Sequence, residues 1–263
     1  MTRPVFLAED LSCVPSSLAV GEHATLGGSE GRHAASVRRI GAGEWVDVAD
    51  GRGLRLTCEV VGADKSSLSL VVREVVQEES PRPEIILVQA LAKGGRDEAA
   101  VEICTEIGID RVIPWASQRT IVQWRGPKAE KGRAKWEGVV RAAAKQSRRA
   151  YVPVVDAVAD SRELASWVRA LTDEAGAAAF VCHEEATQSL GAALARVQGD
   201  ATDGSLPARV ALIVGPEGGI GPEETAQLVA AGARTVGLGA NVLRSSTAGA
   251  VALTLIRAAA GAY

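Results

Sequence analysis

The chain has 263 residues, of which 47% are hydrophobic but only 3% aromatic, and its net charge is −3. That length fits two domains, with cores packed by Ala, Val, Leu and Ile. No apolar run reaches membrane-spanning length, the opening MTRPVFLAED lacks a signal-peptide core, and Cys13, Cys58, Cys104 and Cys182 are scattered without a C-x-x-C. With three isolated histidines besides, the sequence predicts a cytoplasmic protein with buried free thiols, no membrane partner and no metal site.

Residues 1–77 read as β-rich. Trp45-Val46-Asp47-Val48 alternates, Asp50-Gly51 marks a hairpin turn, and residues 54–61 and 68–76 continue a meander. A short helical stretch is predicted over residues 30–39. This segment holds 8 Lys and Arg against 10 Asp and Glu. A polyanion must therefore meet a local face, with Arg3, Arg32, Arg38, Arg39 and Arg52 as candidates. Residues 78–83, EESPRP, are polar and proline-rich and suit an interdomain linker.

From residue 84 onward the period changes. Residues 85–90 read as a buried strand, 97–107 as a helix stopped by Gly108, and 111–114 and 152–155 as short strands. Helices over 130–147, 161–171 and 189–197 alternate with a strand over 178–182, and 199–207 reads as a flexible loop. Such alternation means right-handed crossovers and a parallel sheet. Residues 117–149 carry 10 Lys and Arg against Glu130 and Glu137, a local excess of +8 that invites a polyanion. Trp115, Trp124 and Trp136 lie among these charges and could stack on unpaired bases, although at least one is expected in the core.

Two strand–glycine–helix corners follow. The first opens with the apolar run 210–214, turns through Gly215, Gly218, Gly219 and Gly221, and enters a helix with Pro222 at its first position and Glu223 and Glu224 in its first turn. Its loop, G-P-E-G-G-I-G, matches neither phosphate-binding glycine pattern, has no lysine, and places a carboxylate at Glu217. A neutral or cationic ligand suits it better. The second corner is a strand over 235–239, then Ala240 to Arg244, then a helix that Ser245 or Ser246 is expected to cap.

The pair GPEGG (215–219) and LGxxxLRxxTA (238–248) resembles the SPOUT class of S-adenosyl-L-methionine-dependent RNA methyltransferases. Within that class the chain is similar to the ribosomal RNA small subunit methyltransferase E family, which methylates N3 of a uridine in 16S ribosomal RNA. The run from His33 to Val46 with its Val37-Arg38-Arg39, the triplet Ser117-Gln118-Arg119 and the stretch Ala144 to Arg149 share in the likeness. The resemblance implies an α/β protein: an N-terminal PUA-like β-barrel over 1–77, a linker, and a SPOUT-type trefoil-knotted parallel α/β domain over 84–263. It implies a homodimer acting on small-subunit rRNA, within an assembled or late-assembling 30S particle.

For S-adenosyl-L-methionine the resemblance implies a site formed by Val181, His183, Leu190, Ile213, Val214, Gly215, Pro216, Glu217, Gly218, Gly219, Ile220, Leu238, Gly239, Asn241, Val242, Leu243 and Thr247. Among these, Ile213, Ile220, Leu238 and Leu243 are expected to line an adenine pocket. For RNA it implies Arg3, Arg32, Arg38, Arg39, Lys93, Arg96, Arg119, Lys145, Gln146, Arg148 and Arg149. Uracil N3 is a weakly acidic imide that must lose its proton. Arg244 is the candidate for stabilising the resulting charge, and Glu217 is either a base or a structural acceptor. Ser246 stands where the family has Glu, which favours a capping over a catalytic role there. Two other functions stay open: a ribose 2′-O-methyltransferase on another RNA, and an RNA-binding module without catalysis.

Overall fold

A computed structural model describes residues 3–201 and 204–262. The chain divides into two units, Met1–Ser80 with Ala144–Val152, and Pro81–Ala143 with Pro153–Tyr263.

The first unit is built on a five-stranded sheet. Strands β1 (Val5–Leu7), β2 (His23–Leu26), β3 (Trp45–Ala49), β4 (Leu54–Ala63) and β5 (Leu68–Gln77) lie in the order β1-β3-β4-β5-β2. All neighbours are antiparallel except β1 and β3. The β3–β4 hairpin forms at Asp50-Gly51 as the sequence predicts. Asp50 Oδ1 accepts from the N–H groups of Arg52 and Leu54 at 2.7 and 3.0 Å, and Gly51 takes φ +77°. Register shifts after Thr57 and Val60 add twist to β4. Phe6, Leu26, Val48, Leu56 and Leu70 close over one face as the core.

The expected PUA-like β-barrel is, in its sheet, a half-barrel. Strands of three and four residues at the two edges are too short for a closing ladder. The segment after β1 meets β2 through the Leu11–Leu26 bridge and the bonds from Ser12 N–H to Thr25 O and from Thr25 N–H to Ser12 Oγ. The helical stretch is also divided, an α-helix α1 (Gly28–Arg32) passing into a wider π turn over His33–Val37. Residues 144–152 complete this unit. Ala150 is buried with Val5 and Ala49, and Tyr151 Oη donates to Glu78 O at 2.8 Å.

The second unit contains β6 (Glu84–Ala90), α2 (Arg96–Ile107), β7 (Arg111–Ala116), α3 (Pro127–Gln146, its last three residues counting with the first unit), β8 (Val154–Val155) and β9 (Ala159–Asp160). It continues with α4 (Ser161–Asp173), β10 (Ala177–Cys182), α5 (Leu190–Asp200), β11 (Arg209–Val214), α6 (Pro222–Ala230), β12 (Arg234–Val236) and α7 (Ser245–Ala259). The strands run parallel in the order β12-β10-β11-β6-β7-β8, and β9 also pairs with β7.

The apolar runs explain the layering. Val181, Ile213 and Val88 stand side by side on one face of β10, β11 and β6, against Leu164, Val168 and Leu171 of α4 and Leu228 of α6. Helix α7 covers the other face so closely that a Cβ on Gly249 would stand 3.1 Å from Leu87 and 3.3 Å from Cys104. Burying each such Leu, Ile or Val contributes about 1.5–3 kcal/mol. Because every strand points the same way, the loops after β6, β10, β11 and β12 gather at one carboxyl edge.

Two local expectations are corrected. The strand read over 235–239 ends at Val236, because Gly237 bonds to the 188–190 segment instead, its N–H to Gln188 O at 2.8 Å. Neither Ser245 nor Ser246 caps α7; Arg244 holds the N-cap position with no side-chain cap, and Ser245 is buried at the first helical position. Trp115 and Trp136 are fully buried, and Trp124 stacks edge-to-face on Trp136 at 5.2 Å. At least one of the three is thus core, as expected, and Trp124 is half-buried.

Candidate active site at the carboxyl edge of the parallel sheet

The loop over 215–221 leaves β11 directly into α6. Gly215 turns where any side chain would collide, since a Cβ there would lie 2.6 Å from Ile220 Cγ1. Gly219 takes φ +71° and closes a turn onto Pro216 O at 2.9 Å. Gly221 is the N-cap and Pro222 the first helical residue. Glu217 leans away from the helix: its Oε1 accepts from Lys93 N–H at 3.2 Å and from Arg96 Nη1 at 3.1 Å. Partial burial opposes the charged form. Its own backbone N–H, the Lys93 N–H and the Arg96 guanidinium outweigh that and hold the Glu217 carboxyl below its ordinary range. An ionised, bonded carboxylate is a loop anchor and a weak base.

The loop over 237–244 forms the second wall. It encloses a cavity of about 110 Å³ with Cys182, His183, Glu184 and Ala186, and Leu238, Gly239, Asn241, Val242 and Leu243 line it. A second cavity of about 490 Å³, bounded by Arg119, Gly219, Ile220, Pro222 and Thr225, shares His183 and Glu184 with it. His183 Nδ1 accepts from Glu185 N–H at 3.2 Å, so the neutral ring carries its proton on Nε2. Burial pushes the Cys182 thiol up to about 12, which favours the neutral thiol over the thiolate.

Several predicted ligand residues thus meet around His183, while others lie beneath them. Val181, Leu190, Ile213 and Val214 are buried core that carries the loops. Thr247 is exposed on the first turn of α7. Arg244 is exposed too and makes no ion pair among the described residues, although it stands at a helix start where a cation opposes the dipole.

The basic residues are distributed over both units. Lys93, Arg96 and Arg119 belong to the second, where Arg119 Nη1 donates to Gly218 O at 3.0 Å. Arg3, Arg32, Arg38, Arg39, Lys145, Gln146, Arg148 and Arg149 belong to the first. There Lys145 is paired with Glu30 at 2.5 Å and Arg3 with Asp47 at 2.8 Å. Arg32, Arg38, Arg39 and Arg148 are exposed and make no ion pair among the described residues.

Two buried polar residues have bonding roles that the sequence does not show. Glu224, 1% exposed, accepts from Gln118 N–H, Ser161 Oγ and Gly221 N–H; only the capping-box spacing from Gly221 hinted at it. Gln89, fully buried on β6, donates to Ser245 Oγ at 2.9 Å and keeps an Oε1 with no hydrogen-bond partner. A polar residue inside an apolar strand was its one signal.

Residues 78–257 match the RNA methyltransferase domain and residues 26–73 the RNA methyltransferase PUA domain. A ribosomal RNA small subunit methyltransferase E of Mycobacterium bovis is 45% identical over 233 residues, 89% of this chain and 85% of that protein. One from Bacillus subtilis is 29% identical, covering 87% of each. The crystal structure of a Neisseria gonorrhoeae ribosomal RNA small subunit methyltransferase E bound to S-adenosyl methionine superposes with a TM-score of 0.79 at 25% identity, over 98% of both chains. The chain belongs to the ribosomal RNA small subunit methyltransferase E family of RNA methyltransferases.

Proposed function

We propose that this protein transfers a methyl group from S-adenosyl-L-methionine to N3 of a uridine in 16S ribosomal RNA. The observation that carries the reading is the cavity between residues 182–186 and 237–243 with the unpaired cation Arg244 beside it. The donor set fits such a ligand. Leu238, Leu243 and Ala248 offer an apolar wall for a neutral purine, and the backbone from Gly237 to Leu243 offers hydrogen-bonding groups. Neither loop carries a lysine to demand a phosphate. Bound there, the donor supplies an electrophilic methyl carbon on a sulfonium.

The protein's own part is alignment and charge. The two loops hold donor and acceptor in line, which supplies most of the catalytic advantage. Arg244 offers a guanidinium to the oxygens of a deprotonated uracil ring, where negative charge develops. Glu217, already engaged by Lys93 and Arg96, keeps the glycine loop in shape. The PUA domain and the exposed arginines serve as the RNA platform. The same reading takes the carboxyl-edge loops as a trefoil knot and the active form as a homodimer working in the cytoplasm on assembled or late-assembling 30S particles.

Methyl transfer to bare small-subunit rRNA, to 30S particles and to tRNA, followed by nucleoside mass spectrometry, tests the proposal. The expected product is 3-methyluridine in the small-subunit RNA. A 2′-O-methylated nucleoside, or no transfer to any of the three, would overturn it.

A further inference from the structure

Glu224 sits in the first turn of α6 with 1% of its surface exposed, and its hydrogen bonds reach three separate segments. Oε1 accepts from the backbone N–H of Gln118 at 2.8 Å and from the hydroxyl of Ser161 at the start of α4. Oε2 accepts from Gly221 N–H at 3.3 Å, at the end of the glycine loop. Ser161 Oγ itself accepts from Trp115 Nε1 at 3.2 Å, so the chain of bonds continues to the end of β7. A capping box needs only the Gly221 bond. The bonds to Gln118 and Ser161 call for another reason.

That reason lies one residue along. The turn at 117–120 is closed by Thr120 N–H to Ser117 O at 3.1 Å and by the Ser117 and Thr120 hydroxyls at 2.9 Å. Glu224 fixes the turn by the Gln118 amide, and the adjacent Arg119 then lies along the glycine loop with Nη1 on Gly218 O at 3.0 Å. Its side chain is exposed on the wall of the 490 Å³ cavity, and that one carbonyl bond leaves most of its five donors open.

We infer that Glu224 is a positioning residue that holds Arg119 across the glycine loop so that its guanidinium meets a phosphate of the RNA at the cavity mouth. Glu224 touches neither RNA nor donor; it acts through the 117–119 backbone. This rests on the methyltransferase reading above only in naming RNA as the polyanion.

The test is a double-mutant cycle on the full chain with a small-subunit rRNA transcript as probe. Arg119→Ala removes the phosphate contact and should lower the slope of log K against log salt by about 0.7–0.9. Glu224→Gln keeps the shape but brings an N–H donor against N–H groups or the Ser161 hydroxyl, and should lower the slope equally. The double variant should fall no further than either single one. Ser161→Ala, which removes one bond without touching the loop, should move the slope part of the way. Hydrogen exchange at the Gln118 amide, measured without RNA, should speed up in Glu224→Gln. The inference is overturned by a wild-type slope in either single variant, by additive losses in the double, or by unchanged Gln118 exchange. Methyl transfer by the unmodified protein to 30S particles, run alongside, tests the parent reading separately.

Discussion

Gln89 Nε2 donates to Ser245 Oγ at 2.9 Å, tying the middle of the parallel sheet to the first turn of α7, one residue from Arg244. Both residues are buried. The bond therefore sets where the helix, and with it the arginine, begins. Ser245→Ala should cost about 1 kcal/mol, roughly 2–4 °C in Tm for a chain of this size. Gln89→Leu should cost a similar amount, and the double variant less than the sum, because both singles lose the same bond. Strictly additive losses in urea denaturation would show that the contact contributes nothing.

The elements visible in the sequence were those with a strong local signal. Val210 to Val214 is an unbroken apolar run and Ile85 to Ala90 one interrupted only by Gln89, and both are central strands. Pro222 with Glu223 and Glu224 announced α6. What stayed hidden depends on contacts distant in sequence. Ala150 is one alanine among many until it packs on Val5 and Ala49. The basic stretch over 117–149 is divided at residue 144 between two units, which no charge count can reveal. Glu224 looks like any acid in a first helical turn; its role needs Gln118 and Ser161, which lie 106 and 63 residues away.

Gly218 and Gly219 separate space from strain. Gly219 takes φ +71°, so a valine there distorts the backbone whatever the room. Gly218 has ordinary torsions, and its Cβ would meet Arg119 Cβ at an unstrained 3.5 Å. Gly218→Val should therefore fold normally yet crowd the donor, with S-adenosyl-L-methionine binding lost in calorimetry. Unchanged affinity in that folded variant would remove the glycine loop from the donor site.

Arg244→Ala should lower kcat about 100-fold or more while donor affinity stays nearly intact, as expected for a cation that meets charge formed only in the transition state. Its exposure and lack of an ion partner mean that little folding energy is lost with it. Equal losses in kcat and donor affinity would mark a structural arginine instead.

Glu217 gives a pH signature. Its folded pKa is depressed below the ordinary value of 4.5, so its contribution to stability is fully present above that value. It is lost as pH falls through the lower, folded value. Glu217→Gln should flatten the acid limb of a stability–pH curve and weaken donor binding, while the neutral-pH limb of kcat stays in place. A kcat limb that disappears with Glu217→Gln would restore the residue as the base.

Within the first unit, two kinds of basic residue should separate cleanly. Arg38 and Arg39 end the π turn, exposed and without ion pairs among the described residues, and so are free for phosphate. Lys145 is committed: it pairs with Glu30 at 2.5 Å, and Glu30 in turn accepts from Leu7 N–H at 3.2 Å, in a contact where the side chains are only 24% and 14% exposed. Replacing Arg38 and Arg39 together by Ala should remove two counterion-releasing contacts and lower the salt slope of rRNA binding by about 1.4–1.8, with stability nearly unchanged. Lys145→Ala should do the reverse. It strands a half-buried carboxylate, costing about 1–3 kcal/mol between the values for exposed and buried pairs, and leaves the salt slope where it was. Arg148→Ala should side with Arg38 and Arg39, since its side chain is exposed and the bonds it makes are backbone ones, its N–H to Lys145 O at 3.2 Å and its carbonyl from Arg55 at 2.9 Å. A slope that responds to Lys145 and ignores Arg38 and Arg39 would mean that the Glu30 pair opens on binding and that the π turn is a solvated face.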